Sequence, residues 1–124
     1  MATPHSPSPQ AGTPVVIYDR RDCSSVNGLG VLERIAACYR WASVRGLPVL
    51  DRFVSWNGAS MPLPAALSRA LDLCTAEGAR LLIYTETCLG QQRELHNAVT
   101  GHLPGQPVLT VVDDPIQAPS GVTP

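Results

Sequence analysis

The chain has 124 residues, 44% of them hydrophobic, which gives room for one domain around one core. Nine basic and ten acidic residues leave a net charge of −1, so the chain lacks the basic footprint of a free-standing DNA binder. No apolar run approaches the roughly twenty residues of a membrane span, and Met1-Ala2-Thr3-Pro4-His5 opens no basic-then-apolar leader, so a cytoplasmic protein is expected.

Proline punctuates both ends. Residues 1–13 are rich in Pro, Ser, Thr and Gly, as are residues 115–124. Such stretches bury too little apolar surface to offset chain entropy, so both are expected to be disordered tails around a domain at 14–114. Within it, Val15-Val16-Ile17-Tyr18 is a continuous apolar run suited to a strand covered on both faces. Leu29, Leu32, Ile35, Ala36, Tyr39 and Ala42 recur at helical spacing, and Gly46 is a natural stop.

Pro48 to Val54 reads as a second strand. Ser60 and Pro62 suit a helix start, with Leu63, Leu67, Ala70, Leu71 and Cys74 as its inner stripe, ending near Gly78. Arg80 to Tyr84 reads as a third strand. A helix over Cys88–Thr100 follows, its inner edge formed by Leu95, Ala98, Val99 and His102, and Pro107–Val112 is a fourth strand. The alternation predicts an α/β, three-layer fold: a mainly parallel four-stranded sheet with helices on both faces and right-handed crossovers.

In such sheets ligands sit beyond the carboxyl ends of the strands, here Asp19–Ser25, Ser55–Ser60, Thr85–Gly90 and Asp113-Asp114. The segment Asn27-Gly28-Leu29-Gly30 matches neither a Walker loop nor GxGxxG, so no cofactor is expected, although a small-ligand or nucleotide sensor at this rim stays an alternative. Cys23, Cys38, Cys74 and Cys88 form no CxxC pair and lie far in sequence from His5, His96 and His102. They read as reduced thiols rather than as a metal site. Asp113-Asp114 reads as solvated carboxylates in preference to a Mg²⁺ site. Trp41 and Trp56 read as one core and one rim residue. Tyr39 with Arg40 fits a helix surface.

Several short segments together resemble the catalytic domain of serine recombinases, the resolvase/invertase family. They are Tyr18-Asp19-Arg20 closing the first strand, Asn27-Gly28-Leu29 before a long helix, Cys38, Trp41-Ala42 and Arg45-Gly46-Leu47 near its end, the turn Trp56-Asn57-Gly58-Ala59-Ser60, and Leu81-Leu82-Ile83-Tyr84. The likeness implies a resolvase-like fold over about four-fifths of the chain. It also implies a serine nucleophile two positions after Arg20, where this chain has Asp22, and a glutamine where it has Arg34. The family's phosphate-holding arginines would fall at Thr87-Cys88-Leu89-Gly90-Gln91, and its Arg-Pro at Leu63-Pro64; none of these segments supplies an arginine.

A carboxylate repels a phosphodiester and is no substitute for the nucleophilic hydroxyl, so no catalytic residue is expected. The vestigial pocket would comprise Arg20, Asp22, Ser24, Ser25 and Ser60. The family's dimerisation helix and DNA-binding region have no counterpart in the ten residues after Asp114, so neither DNA recognition nor dimerisation by that route is expected.

The expectation is therefore a non-enzymatic protein-interaction or assembly module that binds a protein partner or itself. The enzymatic alternative is a divergent DNA-cleaving or phosphoryl-transfer protein using Ser24 or Ser25 with Arg20. Arg20 and Arg21 could bind an anion at the sheet edge or pair with Asp19, Asp22 or Asp51.

Overall fold

A computed structural model describes residues 9–21, 29–55, 65–85 and 93–112. Strands β1 (Val15–Arg20), β2 (Val49–Ser55), β3 (Arg80–Ile83) and β4 (Leu109–Thr110) alternate with helices α1 (Val31–Val44), α2 (Ala65–Glu77) and α3 (Arg93–His102). All strand pairs are parallel, in the order β2-β1-β3-β4. The predicted three-layer α/β architecture is observed. The chain runs outward from β1 to β2 and then back across to β3, which with right-handed crossovers puts α1 on one face and α2 with α3 on the other. Accordingly α1 packs on β1, while α2 packs on β1, β2, β3 and α3.

The β-branched run at the start of β1 is wholly buried, because β1 is central and covered on both faces. Edge strand β2 is different: Leu50, Asp51 and Arg52 are exposed, and the register slips so that Val15 faces Val49 but Val16 faces Asp51, leaving Leu50 as a bulge. The α1–β2 and α2–β3 turns close alike. Gly46 takes φ +72°, its N–H donates to Ser43 O at 3.1 Å, and the Leu47 N–H donates to Ala42 O at 2.9 Å. Gly78, at φ +66°, repeats this ending, with the Ala79 N–H on Cys74 O at 2.9 Å. Only glycine takes these left-handed positions without a Cβ penalty. Residues 9–13, which the sequence assigns to a tail, turn over the first of these endings, and the Gly12 N–H donates to Gly46 O at 2.7 Å.

The α2 stripe is observed in its described part: Leu67, Ala70, Leu71 and Cys74 are buried, and Leu63 lies outside the described residues. The α1 stripe needs correction. Its buried residues are Arg34, Ile35, Cys38 and Ala42, whereas Leu32 is 74% exposed and Tyr39 and Ala36 also face solvent. At about 100° per residue the inner face is rotated by roughly a quarter turn from the apolar stripe. The cause is Arg34, drawn inward by a buried acid on β1. His102 is likewise exposed rather than on the inner edge of α3, since Val99 and Leu103 make that contact and His102 Nδ1 lies 3.1 Å from Ala98 O. β4 is two residues long where six were expected, and α3 runs on to His102 beyond the expected Thr100, its expected start at Cys88 lying outside the described residues.

Candidate functional site

The strand order reverses direction between β1 and β3, and the carboxyl ends of those strands flank the place where an open parallel sheet offers a crevice. The described residues there are Asp19 and Arg20 at the end of β1, Arg21 after it, and Tyr84 and Thr85 after β3. Asp19 and Thr85 are 2% and 0% exposed. Ser55, ending β2, is buried, and its carbonyl accepts the Arg21 N–H at 2.8 Å.

The chemistry of this rim is dominated by one ion pair. Arg34, 2% exposed, rises from α1 beneath it and grips Asp19 side-on. Its Nε donates to Oδ2 at 2.9 Å and to Oδ1 at 3.2 Å, and its Nη2 donates to Oδ1 at 3.1 Å. Nη2 also donates to Arg20 O at 2.9 Å, and Nη1 donates to Leu29 O at 2.8 Å. One planar cation thus ties the last residue of β1 to the residue that precedes the α1 N-cap, across an eight-residue connection at 21–28. The fork geometry of arginine allows this; the point charge of a lysine does not. The Asp19 carboxylate also accepts the Arg20 N–H at 2.7 Å.

Cys38 lies one turn along α1 from Arg34. Burial first, and the Asp19 charge second, push its thiol up to about 12, with Arg34 partly offsetting them. Cys74 is pushed up to about 12 by burial alone. Both are buried thiols held in the neutral form at neutral pH, which makes them poor nucleophiles. Among the described residues no group of three or more His, Cys, Asp or Glu could hold a metal ion. None of their helices is long and apolar enough to cross a membrane.

Of the sequence-predicted pocket, Arg20 stands at the rim as the last residue of β1, partly buried, its carbonyl held by Arg34. Asp22, Ser24, Ser25 and Ser60 lie outside the described residues, as do Cys23, Trp56, Cys88 and Asp113-Asp114. The ion pair considered for Arg20 or Arg21 with Asp19 is replaced by Arg34 with Asp19. Sequence reasoning assigned Arg34 only as a substituted position. The available signal was an arginine inside an apolar helix stripe together with an aspartate ending an apolar strand. Trp41 is half-buried, packed against the edge of the core with the Arg45 guanidinium 4.0 Å from its ring centre.

At the opposite end of the sheet a shallow cleft of about 210 Å³ opens between the ends of α2 and α3, lined by Cys74, Thr75, Gly78, His102, Leu103 and Gln106. It contains no paired acid and base. No family model matches the chain, and neither does any curated protein or solved structure.

Proposed function

We propose that this chain is a non-enzymatic interaction or assembly module, cytoplasmic and built on a resolvase-like scaffold whose catalytic constellation has been lost. The observation that carries the reading is the Asp19–Arg34 pair. Beside the sheet's switch point, the Arg34 guanidinium is turned into the fold and bonded to Asp19, Arg20 O and Leu29 O. Phosphoryl transfer needs cations aimed at the developing charge, and a buried guanidinium matched to an internal carboxylate is spent on structure instead. Asp22 at the nucleophile position and the arginine-free segment Thr87–Gln91 agree with this reading.

A folded domain without chemistry works through its surface, so the function is association with a protein partner or with itself. Light scattering on the purified chain, alone and after incubation with fractions of host lysate, tests this. Complexes heavier than the 13.2 kDa monomer are expected. A strict monomer that captures nothing overturns the reading in favour of a small-ligand sensor at the rim.

A further inference from the structure

We infer that the outward face of α1 is a homodimer interface, on which two copies of this chain pack antiparallel about a two-fold axis at Ala36. The inference rests on the association reading and names its partner and surface. α1 turns Leu32, Glu33, Ala36, Tyr39, Arg40, Ser43 and Val44 to solvent, with Leu32 74% and Val44 82% exposed. The inward rotation imposed by Arg34 is what leaves Leu32 and Tyr39 outside.

The face is self-complementary in shape and charge. Taking Ala36 as the origin, about 100° and 1.5 Å per residue put Leu32 and Tyr39 some 40–60° to one side and Glu33 and Arg40 as far to the other. Along the axis, each pair lies about 4.5–6 Å on opposite sides of Ala36. A two-fold axis perpendicular to antiparallel helices keeps each flank on its own side and reverses the axial direction. Glu33 of one copy therefore meets Arg40 of the second, twice, and Leu32 of one packs on Tyr39 of the other, twice. Alanine at the crossing lets the axes approach to about 8 Å, the close end of helix packing. This is the isologous pattern of a closed dimer.

The local bonding is compatible with it. Glu33 uses Oε1 to accept the Gly30 N–H at 2.8 Å, which fixes its side chain at the helix start and leaves the second carboxylate oxygen for a partner. The Tyr39 hydroxyl accepts from Arg52 Nη1 at 3.2 Å, which holds the ring on the flank nearest β2. The competing route, edge-to-edge pairing of β2, is blocked by the bulge at Leu50 and by charge. A two-fold antiparallel pairing centred in that strand sets Asp51 opposite Asp51 or Arg52 opposite Arg52.

Sedimentation equilibrium of the full chain tests the proposal. One helix pair with its flanks is smaller than a standard interface, so a dissociation constant on the order of micromolar is expected. Leu32→Asp, Glu33→Arg and Arg40→Glu should each weaken the dimer about tenfold or more, since each sets a charge against an apolar or like-charged neighbour. Glu33→Arg and Arg40→Glu, mixed in equal amounts, should recover a heterodimer, because every pair in it is again of opposite sign. Circular dichroism of each variant establishes that the monomer is folded. A dimer indifferent to all three substitutions overturns the α1 assignment while leaving self-association standing. A chain that stays monomeric to about 1 mM overturns the proposal, and if that monomer still captures a host protein the broader association reading survives it.

Discussion

Arg34→Met removes the one cation among the described residues that pairs with Asp19. The substitution keeps an unbranched side chain of similar reach, so the loss is electrostatic more than steric. Three N–H···O contacts of 2.9–3.2 Å to the carboxylate disappear, together with the 2.8 Å and 2.9 Å bonds to Leu29 O and Arg20 O. What remains is a carboxylate on a residue only 2% exposed, with its countercharge gone. Breaking a buried pair from one side costs about 3–5 kcal/mol, against about 5–15 kcal/mol for the whole stability of a domain. Followed by circular dichroism in urea, with a slope near 1.5 kcal/mol per molar, that is a fall in midpoint of roughly 2–3 M.

Arg34→Lys, which retains the charge but loses the fork, should fall between the parent and Arg34→Met and serves if the methionine variant does not fold. In the double variant Asp19→Asn/Arg34→Gln a neutral amide pair replaces the ion pair. The cycle should then show a coupling of more than about 1 kcal/mol, because neither group is left as an orphan charge. An Arg34→Met variant within about 1 kcal/mol of the parent would mean that the guanidinium is solvated and that the helix rotation has another cause.

Leu67 is wholly buried at the centre of the α2 stripe, and Leu67→Ala should cost about 2–5 kcal/mol by chemical denaturation. Gly46→Ala places a Cβ at φ +72° and 3.3 Å from the Ala11 methyl; it should lower stability by about 1–2 kcal/mol. Gly30→Ala, whose φ is an ordinary −83°, should cost less than Gly46→Ala. Burial raises the Cys38 and Cys74 thiols from 9.0 to about 12, so their contribution to stability is complete below pH 9 and is lost as pH rises from about 9 to 12. Denaturation midpoints should fall across that window, and Cys74→Ala should flatten the fall. At pH 8, a thiol reagent should modify both only on unfolding.

The sheet and its layers were legible because runs such as Val15–Tyr18 and Leu81–Ile83 are long enough apolar stretches to demand cover on both faces. The α2 stripe was equally plain. What hydrophobic periodicity could not reveal was the rotation of α1. Periodicity weighs Leu32 and Tyr39 as inward and an arginine as outward, and it has no means of knowing that Asp19, some fifteen residues away, supplies a countercharge that makes Arg34 the more favourable residue to bury. One long-range pair thus re-aims a whole helix. β4 is confined to Leu109–Thr110, with Val111 and Val112 continuing beyond the strand and their N–H groups on Ile83 O and Tyr84 O. Of the candidate site, Arg20 was correctly taken as the end of a strand at the rim. The role of its neighbour Asp19 depended on a partner that no local motif announces.

The non-enzymatic reading is tested most directly by incubating the purified chain with supercoiled plasmid and resolving the products on denaturing gels for a covalent protein–DNA adduct. A domain whose Arg34 is committed to Asp19 gives no adduct and no nicking, and Asp22→Ser gives none either, since a hydroxyl alone does not restore the missing phosphate-holding cations. An adduct formed by the wild-type chain and abolished by Ser24→Ala or Ser25→Ala would contradict it.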